Sequence, residues 1–186
     1  IQKEYPGPIN AGAHSRGAID LITAAAEQPE RFERIVLIAP AGLIGKDTLR
    51  ELVQRFFERS DTPKEGQSAF EKNAVQGKNI SESALRNGIV YVLKNVLRSL
   101  DEAVGISNSD IRSKLKTLRE HGVKVTIIAS IGDLVFPIDR ISEALNPLVE
   151  KGIIDAFIAI PTHARHSIYE DEGCFDAIGY ALKMSS

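Results

Sequence analysis

Two kinds of apolar pattern alternate along the chain. Residues 34–39 (Arg-Ile-Val-Leu-Ile-Ala) and 123–130 (Val-Lys-Val-Thr-Ile-Ile-Ala-Ser) are nearly unbroken apolar runs. Runs of this kind suit strands buried on both faces of a parallel sheet. Residues 153–160 form a third run, closed by Pro161, and residues 9–13 form a short one after the breaker Pro6-Gly7-Pro8. Helical spacing lies between them. Residues 16–28 read as an alanine-rich helix ended by Pro29. Residues 139–151 place Ile141, Leu145, Leu148 and Val149 inward, and Phe175, Ile178 and Leu182 mark a last helix.

A longer helical stretch separates the two halves of this alternation. Leu49, Leu52, Val53, Phe56 and Phe57 recur at the spacing of an amphipathic helix. Ser81 can cap a second helix, whose Leu85, Ile89, Val90, Val92, Leu93, Val96, Leu97 and Leu100 cover more than one face. Ile111, Leu115 and Leu118 give a third stripe that runs to Gly122, and residues 61–77 are polar, with Pro63 and Gly66. The order is therefore βαβ, a helical insertion, then βαβα. Strands alternating with helices predict an α/β fold with about four parallel strands. Residues 1–47 and 121–186 would form its core, and residues 48–120 the insertion.

Composition narrows the function classes. The 186 residues suffice for one domain with a sizeable core, and 43% hydrophobic with 26% charged residues is ordinary for a globular chain. A net charge of −2 gives no electrostatic case for nucleic acid or an anionic membrane. No apolar run is long enough to span a bilayer. The single cysteine, Cys174, permits no internal disulfide and reads as a half-buried small apolar residue. The low cysteine count leans towards the cytoplasm. His14, His121, His163 and His166 lack metal-ligand spacing, so no metal and no cofactor is expected. The chain opens with Ile and reaches its first strand within ten residues, which suggests the rear part of a longer protein.

The turn after the first strand carries the chemistry. It reads Ala13-His14-Ser15-Arg16-Gly17. A dinucleotide fingerprint would need a glycine where His14 stands. A phosphate loop would need Lys-Ser/Thr after Gly17, where Ala18-Ile19 follow. A nucleophile elbow, G-x-S-x-G, fits except that alanine replaces its first glycine. The tight turn needs small residues there, and alanine is small. On the turn alone, Ser15 serves equally well as a helix cap.

Two later loops shift that balance. A serine hydroxyl is a weak nucleophile and needs a base oriented by a third group. Asp133 follows the strand at 123–130, on the side where parallel sheets bind ligands. Asp139 is the better cap for the next helix, which leaves Asp133 available. After the strand at 153–160 come His163 and His166. His166 is the candidate base, and His163 reads as a histidine lining the site entrance. His14 reads as packing beside the serine, with substrate contact as its alternative, and Phe136 is a further candidate for substrate contact. His121 reads as a helix-end residue beside the carbonyl dipole.

Ser15, Asp133 and His166 stand in the chain order of the α/β-hydrolases. Ala13-His14-Ser15-Arg16-Gly17 resembles that family's elbow. Asp133-Leu134-Val135-Phe136-Pro137 is similar to its acid motif, and His166-Ser167-Ile168 resembles its histidine loop, with Arg165 where glycine usually stands. The resemblance runs from about Ile9 to the end of the chain. It implies a partial α/β-hydrolase fold, and it makes residues 48–120 an inserted helical cap. It implies Ser15 as nucleophile, His166 as base, Asp133 as orienting acid and the Arg16 backbone N–H as an oxyanion donor. The family's sheet has eight strands and this chain starts at about the fifth. The missing N-terminal half, with the second oxyanion donor, is thus an expected partner, and the segment alone is expected to be inactive or weakly active.

The expected function is cleavage of a carboxylic ester of a small or lipid-like molecule through an acyl-enzyme. Phe56, Phe57, Ile89, Val92 and Val96 suggest an apolar acyl or alcohol part, although core packing explains their apolarity equally well. An amide, thioester or carbon–carbon bond is the alternative on the same three residues. A non-catalytic ligand- or partner-binding protein of the same fold is the alternative from another class.

Overall fold

The computed structural model describes residues 7–44, 104–161, 166, 168 and 172–183. Four strands, β1 (Ile9–His14), β2 (Phe32–Ile38), β3 (Lys124–Ser130) and β4 (Ala156–Ile160), form one sheet in the order β1-β2-β3-β4. Each neighbouring pair is parallel. Among the described residues the longer helices are α1 (Gly17–Glu27), α2 (Arg112–Glu120), α3 (Ile138–Glu150) and α4 (Glu172–Lys183); residues 104–108 are also helical, and Pro29–Arg31 form a short 3-10 helix. Helix thus follows strand as the alternation of patterns predicts. Strand β4 is shorter than its apolar run, because residues 153–155 lie in the bend before it.

The two faces of β2 and β3 fill two separate cores. Ile35 and Leu37 of β2, with Val125, Ile127 and Ala129 of β3, pack with Ala18 and Ile22 of α1, Leu115 and Leu118 of α2, and Ile141 and Leu145 of α3. Val36 and Ile38 of β2 and Ile128 of β3 face the other way and pack with Cys174 and Ala181 of α4. Side chains alternate across a strand, so a strand covered on both sides must be apolar throughout. Cys174 is fully buried in the second core. Arg34, also on β2, is buried with its Nη1 donating to the Ala181 carbonyl, 3.1 Å away, near the end of α4.

Residues 111–120, which the helical pattern assigns to the end of the insertion, lie in the first core. Ile111, Leu115 and Leu118 are fully buried there, and the Ile111 N–H donates to the Gly42 carbonyl at 3.0 Å. An amphipathic stripe looks the same whether it faces a cap or a sheet, so its periodicity could not place it. Residues 48–103 of that segment, with Phe56, Phe57, Ile89, Val92 and Val96, lie outside the described residues. Leu118→Ala is expected to cost about 2–5 kcal/mol in urea unfolding, as a large-to-small change in a closed core does. A loss under about 1 kcal/mol would mean that α2 is not part of this core.

Strand β1 is one of the two edge strands and pairs with β2 alone among the described residues. Its Asn10 and Gly12 are exposed, whereas β2 and β3 are buried along nearly their whole length. Among the described residues no helix is long and apolar enough to cross a membrane.

Candidate active site

The turn from β1 into α1 is held from outside. Ser15 has a φ of +53°, in the left-handed region that costs a non-glycine residue on the order of 1–2 kcal/mol. Its N–H donates to the Ile38 carbonyl at 2.9 Å, and its own carbonyl accepts from Ala18 and from Ala41, each at 3.1 Å. The Ala41 contact depends on the bend after β2, where Ala39 also has a positive φ, +42°. The neighbouring strand and its loop therefore hold the strained serine in place.

Small residues make the turn possible, and the space is not as tight as the sequence pattern suggests. A Cβ at Gly17 would lie 3.7 Å from the Ala13 Cβ, an ordinary contact. Ala13 thus fits where the elbow pattern has glycine. By the same measure Gly17→Ala is expected to fold normally, with a melting temperature equal to or above that of the parent. Its helix propensity favours it by up to about 1 kcal/mol.

Ser15 does not cap α1. Arg16 occupies the cap position with no side-chain cap. The Ser15 hydroxyl is instead 2.9 Å from His166 Nε2. The other ring nitrogen, Nδ1, is 2.8 Å from Asp133 Oδ2. Three side chains from loops after three different strands thus form one hydrogen-bonded chain. Asp133 is 3% exposed and His166 6%.

The Asp133 carboxylate divides its work between two oxygens. Oδ1 accepts from the Val135 N–H at 2.8 Å and the Phe136 N–H at 3.1 Å, which folds the acid loop. Oδ2 holds His166. One carboxylate thus both folds its own loop and holds the histidine. The three donors compensate a carboxylate that burial would otherwise penalise. Asp139 sits in the first turn of α3, while Pro137 takes the cap position and no side chain caps the helix. An acid in the first turn complements the helix dipole without capping.

Of the remaining candidates, Phe136 and His14 stand beside His166. Phe136 is buried, with its ring edge-on to His166 and centroids 5.2 Å apart. The His14 ring also neighbours His166, tilted against it with centroids 4.9 Å apart. Arg16 begins the turn into α1. His121 caps the end of α2, and its Nδ1 bonds the Thr117 carbonyl at 2.9 Å. His163 and Arg165 lie outside the described residues. Among the described residues no group of three His, Cys, Asp or Glu is placed to hold a metal ion.

Solved structures share this arrangement of strands and helices. A serine hydrolase involved in carbazole degradation superposes with a TM-score of 0.58 at 17% identity, over 97% of this chain and 65% of its own. An esterase from Pyrococcus furiosus gives 0.58 at 15% identity, over 99% and 57%. A lipase-esterase related protein from Clostridium acetobutylicum gives 0.59 at 14%, over 97% and 66%. The chain carries part of the α/β-hydrolase fold. It spans about 65% of the length of the carbazole-pathway hydrolase it resembles. No family model and no curated protein matches the sequence. Within this fold, Ser15 lies at the strand-to-helix turn, and Asp133 and His166 lie in the loops after β3 and β4.

Proposed function

We propose that the chain is the part of a serine hydrolase that carries its nucleophile, base and acid. The hydrogen-bonded chain Ser15–His166–Asp133 is the observation that supports this reading. Ser15 Oγ attacks a carbonyl carbon while its proton passes to His166 Nε2, and Asp133 stabilises the imidazolium that forms. The Arg16 N–H, at the start of α1, donates to the oxyanion. Collapse breaks the bond to the leaving group, which takes the proton back from His166 and departs. The acyl group remains on Ser15. Water, deprotonated by His166, then attacks the acyl carbon, the bond from that carbon to Ser15 Oγ breaks, Oγ takes the proton from His166, and the carboxylic acid leaves.

The proposed substrate is a carboxylic ester of a small or lipid-like molecule. Esterases recur among the similar structures. An amide is the second reading, favoured by a likeness to an N-formylmaleamic acid deformylase from Pseudomonas putida. The outer edge of β1, with exposed Asn10 and Gly12, is the proposed place for the N-terminal half of the fold. That half would bring the second oxyanion donor. Without it, turnover by the chain is expected to be lower by about 100- to 1000-fold.

Paired aryl esters and anilides of short and long acids test the reading. Hydrolysis with a burst of the aryl alcohol, faster for esters, is the expected result. A faster anilide would move the assignment to amides. Saturable binding of both with no hydrolysis of either, by a protein that carries the whole fold, would replace the enzyme by a ligand-binding protein.

A further inference from the structure

His14 touches His166 at a point that neither nucleophile nor acid uses. Its Nε2 lies 2.8 Å from the His166 backbone carbonyl oxygen. A carbonyl can only accept, so His14 Nε2 carries the proton in this contact. Successive side chains of an extended strand point to opposite faces, and His14 and Ser15 would normally diverge. The left-handed conformation of Ser15 breaks that alternation. Two consecutive residues then reach the same histidine, Ser15 at its ring and His14 at its main chain.

We infer that His14 is a positioning residue, whose Nε2–H anchors the backbone of the general base to the strand that carries the nucleophile. The inference rests on the hydrolase reading of Ser15 and His166. Asp133 fixes the His166 ring in orientation through Nδ1. That bond alone leaves the backbone of His166 untied to β1. The His14 contact closes this gap across 152 residues of sequence. A shift of about 1 Å between reacting groups can cost about 100-fold in rate, so an anchor of this kind has catalytic consequences.

Three substitutions separate the anchor from simple ring packing. Glutamine places an amide nitrogen as many bonds from Cα as histidine Nε2 and keeps the donor. Phenylalanine keeps the ring and removes the donor. Asparagine carries a donor that falls one bond short. His14→Gln is expected to stay within about threefold of the parent in kcat. His14→Phe and His14→Asn are expected to lose about 10- to 100-fold in kcat with KM unchanged. A His14→Phe protein as active as the parent, or a His14→Gln protein as impaired as His14→Phe, would overturn the inference.

A second readout needs no turnover. The Nδ1 proton of His166, held by Asp133, gives a far-downfield proton NMR signal when the histidine is fixed. That signal is expected in the parent, in His14→Gln and in Ser15→Ala, and is expected to broaden or vanish in His14→Phe. Its persistence in His14→Phe would also overturn the inference. If the parent shows the signal and its dependence on His14 but hydrolyses nothing, the hydrolase reading falls and the anchor stands.

Discussion

Ser15→Ala is expected to reduce ester hydrolysis by the chain to the background rate, while leaving the fold intact. Removing a triad serine elsewhere costs as much as removing the whole triad, about 10⁶-fold in kcat. The Ser15 contribution to stability points the same way. Its hydroxyl does not cap α1, and its structural bonds are made by the backbone, through Ile38, Ala18 and Ala41. Alanine keeps all three. The positive φ is no harder for alanine than for serine. Circular dichroism and the melting temperature should therefore match the parent, so that lost activity reports lost chemistry. Residual hydrolysis above one hundredth of the parent rate would place the nucleophile elsewhere.

Asp133→Asn is expected to lower kcat by about 10⁴-fold, through the tautomer of His166. The geometry dictates how the amide sits. Oδ1 of Asp133 accepts from two backbone N–H groups, so the single carbonyl oxygen of asparagine must take that place. Its NH₂ then faces His166 Nδ1, where a carboxylate oxygen stood. A donor there selects the ring with its proton on Nε2, which cannot take the proton of Ser15. The acid loop keeps its turn and the protein stays folded. Asp133→Ala, by contrast, removes the acceptor for Val135 and Phe136 and is expected to destabilise the loop as well. Removing the acceptor of a buried N–H group costs about 1–3 kcal/mol. A kcat loss below tenfold for Asp133→Asn, in a protein of parental stability, would show that Asp133 does not orient the base.

The strands, the order of elements and the three residues of the chain Ser15–His166–Asp133 were legible in the sequence because each rests on a local pattern. Apolar runs bounded by Pro40 and Pro161 mark buried strands, and small residues around Ser15 mark a tight turn. The turn alone did not decide whether Ser15 caps a helix or faces a base, since both uses need the same residue there, and only the later loops with Asp133 and His166 favoured the base. Long-range geometry decides it, through the 2.9 Å contact with His166. The place of residues 111–120 was ambiguous for a related reason. Ile111, Leu115 and Leu118 define a buried face without naming what buries it. Asp139 looked like a cap because capping statistics favour aspartate, but Pro137 had already fixed the start of α3. His14 shows the limit most clearly. Beside a serine it suggests packing or substrate contact, and only the folded chain brings its Nε2 to the His166 carbonyl.

The proposed mechanism requires Ser15 to be an activated nucleophile. The most direct measurement is labelling of the 186-residue chain with a fluorophosphonate, followed by mass analysis and peptide mapping, with Ser15→Ala as control. The expected result is one adduct per chain, on the peptide that contains Ser15, formed slowly and absent from the control. A folded chain that takes up no label, or one labelled equally in the control, would contradict the claim.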